Sequence, residues 1–240
     1  MLSIIIITRN EEECLPRLLE SIKRQSFRDF EVILSDAQST DRTREIALFY
    51  GCKIVEGGLP SVGRNNGARF AKGEILLFLD ADVVLPKGFL EKSLLEFSQK
   101  KVGCASPILL IMSDHFVDKF LFLFYNTWIR LTSKHFPQAL GNCIYCWKNA
   151  FNGVMGFDES ILFAEDADFI KRCGFKYRFR VLNKTKFYSN SRRIKKEGRI
   201  GFIYKTLIGA FYRVFVGEIR KPIFNYELNG GVNIKTQIIK

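Results

Sequence analysis

Two aspartates, Asp80 and Asp82, stand two residues apart directly after the apolar run Glu74–Leu79 (EILLFL). Carboxylates this close repel unless a cation or hydrogen-bond donors sit between them. A hard divalent ion with oxygen ligands, shared with substrate phosphates, removes the repulsion and neutralises a diphosphate leaving group. The residues after two other apolar runs are of the same kind. Thr8, Arg9, Asn10, Glu11 and Glu12 follow Ser3–Thr8, and Asp36, Ser39, Thr40 and Asp41 follow Glu31–Ser35. Taken singly, each reads as a cap for the next helix. Taken together, they converge on one crevice if the runs are parallel strands, because ligands bind at the carboxyl ends of such strands. Further along, Glu165, Asp166 and Asp168 open a helix whose N-terminus favours negative charge. Arg192 and Arg193 form a pair suited to gripping phosphate oxygens bidentately, the alternative being a solvated basic loop ahead of Lys195 and Lys196.

These groups need a scaffold, and the hydrophobic periodicity supplies it. Ser3–Thr8 (SIIIIT) has the composition of a strand buried on both faces, and Glu11 to Gln25 reads as a helix with Leu15, Leu18, Leu19 and Ile22 on one side. Strands over Glu31–Ser35, Lys53–Val55 and Glu74–Leu79 alternate with helices, one capped by Thr40 or Asp41 and running through Tyr50, another over Gly63–Ala71. Beyond residue 100 the pattern predicts strands over Val102–Met112, Asn142–Trp147 and Tyr177–Leu182, and helices over Asp114–Leu131, Asp166–Cys173 and Arg199–Glu218, with a polar basic stretch from Ser191 to Gly198. Alternation of this kind predicts an α/β fold, a mostly parallel sheet flanked by helices. We expect one body over residues 1–190 and a basic amphipathic extension over 191–240.

Composition agrees with a globular chain: of 240 residues, 47% are hydrophobic and 26% charged, enough to bury a core without disulfides. The six cysteines read as buried free thiols in a reducing cytoplasm, since no secretory signal precedes the first apolar run. Cys143 and Cys146 make a lone CxxC, and a zinc site would need a second ligand pair where the only histidines are His115 and His135. The glycines Gly63, Gly67 and Gly73 do not have dinucleotide-binding spacing, which disfavours a dehydrogenase. The longest nearly uncharged apolar stretch, Phe120 to Ile129, is about half of the ~20 residues that cross a bilayer.

Four segments in order, SIIIITRNEE, EVILSDAQSTDRT, GRNNGARFAKGEILLFLDADVVLP and GFDESILFAEDADFIKR, resemble the motifs of family 2 glycosyltransferases with the GT-A fold over roughly residues 1–182. The chain departs from the family at Asp36-Ala37-Gln38-Ser39, where an Asp-Gly-Ser or Asp-Asp-Gly-Ser turn is more usual. The resemblance implies a GT-A type, Rossmann-like sheet and an inverting enzyme that moves a sugar from a nucleotide-diphosphate sugar to a hydroxyl or phosphate acceptor. It implies that Thr8, Asn10 and Glu12 line the nucleotide pocket, that Asp36 bonds the base with Arg64 bordering it, and that Asp80 contacts ribose or sugar. It further implies that Asp82 ligates Mg²⁺ or Mn²⁺, that Asp166 is the general base, and that Arg192 and Arg193 contact the diphosphate. Asp168 is expected to orient the helix or an arginine.

Charge is unevenly spread. Residues 1–170 carry 19 basic and 22 acidic side chains, whereas residues 171–240 carry 18 basic and 3 acidic. The segment Arg199–Glu218 is amphipathic with basic flanks, and Asp114–Leu131 holds more Phe, Tyr and Trp than one core-facing stripe needs. A helix of this kind either closes the core or lies on an anionic membrane. We expect peripheral contact at the inner face of the cell membrane, beside a carbohydrate or lipid-linked acceptor. Nucleic acid is disfavoured, because the aromatic residues lie in apolar helical stripes rather than among lysines and arginines. Two other classes compete with sugar transfer. One is a nucleotidyltransferase-like enzyme, disfavoured by the lack of an N-terminal glycine-rich loop with a lysine; the other is a catalytically silent membrane-binding module.

Overall fold

The computed structural model describes residues 1–220 together with two short strands beyond them. In chain order the elements are β1 (Leu2–Thr8), α1 (Leu15–Lys23), β2 (Phe30–Asp36), α2 (Thr43–Phe49), β3 (Lys53–Glu56), α3 (Pro60–Phe70), β4 (Ile75–Asp80), β5 (Val83–Val84) and α4 (Phe89–Gln99). There follow β6 (Cys104–Met112), α5 (Phe116–Thr132), β7 (Cys143–Trp147), α6 (Lys148–Gly153), α7 (Glu165–Tyr177), β8 (Phe179–Asn190), α8 (Arg192–Glu197) and α9 (Arg199–Phe215). The short strands β9 (Glu227–Leu228) and β10 (Val232–Asn233) pair with each other.

One eight-stranded sheet runs in the order β3-β2-β1-β4-β7-β6-β8-β5. The first four strands are parallel, β7 is antiparallel to both β4 and β6, β8 is parallel to β6, and β5 is antiparallel to β8. Successive side chains of a strand point to opposite faces, so the unbroken apolar runs build two cores. Ile4, Ile6, Leu77 and Leu79 pack with α1 and α4 on one face, while Ile5, Leu76 and Phe78 pack with α6 and α7 on the other. A β-carbon at Gly67 would come within 3.4 Å of Cβ of Ile5, so the bare glycine lets α3 lie directly on β1.

Several elements depart from the sequence expectation. α1 begins at Leu15, not Glu11, because the Glu11 amide is taken by Thr43 Oγ1 at 2.8 Å and the chain makes a turn before Pro16 starts the helix. Strands β7 and β5 oppose the parallel direction, which a strand buried on both faces does not reveal by composition. β8 continues to Asn190, well past Leu182. Its register against β6 shifts between Pro107 and Ile108, and the buried Glu96 carboxylate accepts the amides of Asn183 and Lys184 at 2.8 and 3.0 Å. The stretch expected to be a basic loop after Ser191 contains the short helix α8. All six cysteines are free and buried, with Sγ of Cys146 4.0 Å from Sγ of Cys173. Among the described residues no helix is long and apolar enough to cross a membrane.

Candidate active site

The sheet register sets the site. Thr8 at the end of β1 faces Asp36 at the end of β2, and Ile7 faces Asp80 at the end of β4. With strands about 4.8 Å apart, Asp36 and Asp80 lie roughly 10 Å from each other along the same edge. Buried Asp36 accepts from Thr8 Oγ1 at 3.2 Å, from the Ser39 amide at 3.1 Å, from Ser39 Oγ at 2.5 Å and from Arg44 at 3.1 Å. Both of its oxygens therefore hold the loop after β2 in place.

The loops after β1 and β2 are stitched together. The Asn10 amide donates to Ser39 Oγ at 2.9 Å and Asn10 Oδ1 accepts from the Thr40 amide at 2.8 Å. Glu12 Oε2 accepts from the Arg42 amide at 3.0 Å, and the Glu12 amide donates to Asp41 at 3.1 Å. Asp41 also accepts the Thr43 amide at 3.0 Å, although the N-cap of α2 is Arg42, just past the expected Thr40 or Asp41. Gln38 sits at φ +57°, the left-handed region that glycine enters without strain, so the departure at Asp36–Ser39 changes the residue while keeping a glycine-like backbone.

At the end of β4, buried Arg64 from α3 bridges two carboxylates. It donates to Asp80 Oδ1 at 3.0 Å and to Glu165 Oε1 at 2.5 Å, with its guanidinium 5.4 Å from the centre of the Phe157 ring. Arg64 thus borders Asp80 and Glu165. Burial raises the carboxyl pKa of both, opposed by Arg64 and reinforced by Asp166. Asp166, in the first turn of α7, lies against Gly141, and its charge together with burial raises the Tyr125 hydroxyl. Asp168 instead pairs with Arg172 at 2.7 Å.

Asp82 occupies the middle. Its Oδ1 is buried with no hydrogen-bond partner, and burial, then Asp80 and Glu11, push its carboxyl up to about 7 while Arg192 opposes them. Arg192, at the start of α8, grips both oxygens of buried Glu11 at 2.7 and 2.9 Å. The side chain of Arg193 lies outside the described residues. The structure therefore brings Asp80, Asp82, Asp166, Arg64 and Arg192 into one electrostatically linked row, with Thr8, Asn10, Glu12 and Asp36 at the neighbouring strand ends. Sequence reasoning did not single out Glu165 and Glu11 as site residues; the signal available was only their position beside Asp166 and within the Asn10–Glu12 turn.

Among the described residues no three His, Cys, Asp or Glu side chains are grouped to hold a metal by themselves. The partnerless Asp82 oxygen, next to Asp80 and Glu11, is nevertheless a hard anionic donor of the kind a divalent ion completes when substrate phosphates supply further oxygens.

Comparison with known proteins adds to this geometry. The family model described as "Glycosyl transferase family 2" matches residues 3–152. An uncharacterized glycosyltransferase of Rickettsia typhi is 30% identical over 215 residues, covering 82% of this chain and 69% of its own. The GalNAc(5)-diNAcBac-PP-undecaprenol beta-1,3-glucosyltransferase of Campylobacter jejuni is 34% identical over 100 residues, 37% of this chain and 32% of that protein. The first curated relatives are matched over only about a quarter to a third of their length. Among solved structures, a mannosyltransferase from Pyrobaculum calidifontis in complex with GDP-Man and Mn²⁺ superposes with a TM-score of 0.65 at 19% identity, covering 86% of this chain and 64% of that one.

Proposed function

The chain belongs to glycosyl transferase family 2, and on that premise we propose that it moves a sugar from a nucleoside-diphosphate sugar to a hydroxyl or phosphate acceptor, with inversion at the anomeric carbon. The observation that carries this reading is the row from Arg192 through Asp82, Asp80 and Arg64 to Asp166, in which one buried Asp82 oxygen has no hydrogen-bond partner and a second carboxylate, Asp166, stands at the far end. A donor laid along the sheet edge meets each group in turn. Thr8, Asn10, Glu12 and Asp36 hold the nucleoside, Asp80 meets the ribose or sugar, and Arg192 faces the diphosphate. Arg64 fixes Asp80 and Glu165 and so borders the donor.

Asp82 would hold Mg²⁺ or Mn²⁺, which when bound neutralises the diphosphate. That assignment is supported by the orphaned Asp82 oxygen and by the Mn²⁺ that accompanies GDP-Man in the Pyrobaculum mannosyltransferase complex. Asp166 takes the proton from the acceptor O–H as that oxygen bonds to the anomeric carbon, and the carbon–oxygen bond to the diphosphate breaks with its electron pair leaving on the diphosphate. One displacement from the opposite side inverts the centre. Arg192 steadies the charge that develops on the leaving group.

Residues 1–190 carry most of this chemistry, and the extension over 191–240, of which the part beyond residue 220 lies largely outside the described residues, contributes Arg192. The acceptor sits on a carbohydrate or lipid carrier at the inner face of the cell membrane, a placement supported by the undecaprenol in the name of the Campylobacter relative and by the apolar surfaces of α5 and α9. Calorimetry with a panel of nucleotide sugars, with and without Mn²⁺, tests the proposal. Metal-dependent affinity for one of them is expected, together with an Asp166→Asn protein that binds the donor but does not transfer. Absence of metal-dependent donor affinity across the panel would make the chain a silent module.

A further inference from the structure

Helix α9 has two faces that touch different things. Inward, a β-carbon at Gly209 would stand 2.7 Å from Cε1 of Phe163, so the helix lies directly on the segment 158–164 that leads into α7 and Asp166. After the helix the chain returns to that segment: the Leu162 amide donates to the Ile219 carbonyl at 2.9 Å, and Arg220 pairs with Asp158 at 2.9 Å. At its other end Arg199 pairs with buried Asp118 of α5 at 2.7 Å. α5 in turn places Tyr125 within the field of Asp166. Both helices therefore brace the acceptor side of the site.

Outward, the same helices are apolar. Ile200, Tyr204, Leu207, Phe211 and Phe215 recur at three- or four-residue steps along α9, each more than 60% exposed. On α5 Phe116, Phe120, Leu123, Phe124, Trp128 and Leu131 are each more than half exposed. Summed over the two helices, the exposed apolar area is on the order of 1,000 Å², where the largest patch on an ordinary monomer is roughly 300–600 Å². The charges around it are mostly basic: residues 192–220 hold eight basic and two acidic side chains, and Lys119, Arg130 and Lys134 are exposed on and beside α5 against one exposed acid there, Asp114. Such a rim opposes the meeting of two identical faces and attracts an anionic surface.

We propose that the outward faces of α9 and α5 dock together on an anionic phospholipid surface, lying in the interface, and thereby seat the segment 158–164 and Asp166 at the level where lipid-borne acceptors present their head groups. The docking stands on the exposed faces alone, while its link to acceptor delivery rests on the sugar-transfer reading.

Flotation of the full chain with vesicles of phosphatidylcholine, alone or mixed with phosphatidylglycerol, tests it. Binding is expected only with phosphatidylglycerol present, and it should weaken as salt is raised. Of the two tryptophans, Trp147 is stacked on Phe97 in the core, so a blue shift of emission on vesicle addition reads Trp128 of α5. The double variant Leu207→Glu/Phe211→Glu should lose roughly tenfold or more in vesicle affinity with an unchanged circular dichroism spectrum. The proposal is overturned by an absence of phosphatidylglycerol-dependent flotation, by undiminished binding of the double variant, or by a dimer in sedimentation that the double variant dissolves, which would make a second copy the occupant. Because no nucleotide sugar is present, vesicle binding by a protein without transferase activity sinks the transfer reading alone. Transfer to soluble acceptors by a protein that ignores vesicles sinks the docking alone.

Discussion

A β-carbon at Gly141 would lie 2.6 Å from Cβ and 2.7 Å from Cγ of Asp166, so the aspartate fills the volume that the missing side chain leaves. The carboxylate proposed as the general base is therefore placed by a residue on another segment, just ahead of β7. Gly141→Ala must push Asp166 aside, since nothing in the first turn of a helix yields by half an ångström without moving its neighbours. Displacement of a reacting group by about 1 Å can cost on the order of a hundredfold in rate. Turnover should fall by roughly ten- to a hundredfold in Gly141→Ala while donor affinity, set at the other strand ends, stays at the wild-type value. Steady-state kinetics beside donor calorimetry checks this, and an equal loss in both quantities would show that Gly141 shapes the donor pocket instead.

Asp82 makes the stability of the metal-free protein depend on pH. Its carboxyl is pushed up to about 7 by burial and by Asp80 and Glu11, against about 4 in an unfolded chain. Between those values the folded form binds more protons than the unfolded one, so this group's contribution to stability declines as pH rises from about 4 to about 7 and is level above that. In Asp82→Asn that share of the decline disappears. Thermal melts at pH 5.5 and pH 8 should show a smaller difference for the variant than for the wild type. At pH 8, Mn²⁺ plus a bound donor should raise the wild-type midpoint and leave that of the variant where it was. Identical pH profiles for the two proteins would remove Asp82 from this role.

Much of this arrangement is legible in the order of residues, and the parts that are not share a physical cause. The runs SIIIIT and EILLFL announce β1 and β4 because a strand covered on both faces must be apolar throughout, and the acidic residues that follow them mark the site edge. The antiparallel course of β7 is hidden for the same reason: Cys143–Trp147 is buried whichever way it runs. The partner of Arg64, Glu165, lies 101 residues away in sequence, and no local pattern links the two. α8 escapes detection because Arg192–Glu197 has hardly any apolar periodicity, with Ile194 its one hydrophobic residue.

Arg64 holds the nearly buried Glu165 and the partly exposed Asp80 from different elements, so its removal should be felt in folding before it is felt in chemistry. Its side chain is almost wholly buried, and Glu165 is nearly so. Taking one partner from a buried ion pair costs about 3–5 kcal/mol, because the remaining charge stays desolvated. In Arg64→Met the opposing influence on Asp80 and Glu165 is gone, and their already raised pKa values must rise further. The folded variant then holds protons that the unfolded chain releases above about pH 4, so the destabilisation should be larger at pH 8 than at pH 5. Urea unfolding at the two pH values measures it. A deficit that does not change with pH would mean that lost packing against Phe157, not uncompensated charge, dominates.

Arg192, held by both oxygens of Glu11, stands where its charge opposes the rise of the neighbouring Asp82 pKa. Among the influences on Asp82, Arg192 is the one nearby side chain that favours the ionised form. Removing it should raise the Asp82 pKa above its value near 7, so that at neutral pH a larger fraction of the carboxyl is protonated and unable to ligate a cation. Arg192→Gln retains hydrogen-bonding capacity toward Glu11 but carries no charge. Metal-dependent donor binding by this variant should therefore require a more alkaline pH, its midpoint moving upward relative to wild type. The Asp82→Asn protein should show no such midpoint at all. Arg192→Gln would also remove the proposed phosphate contact, which would weaken binding equally at every pH. Donor titrations across pH 6 to 9 separate the two effects: a shifted midpoint reports the action through Asp82, and a uniform loss with an unmoved midpoint would confine Arg192 to direct contact with the diphosphate.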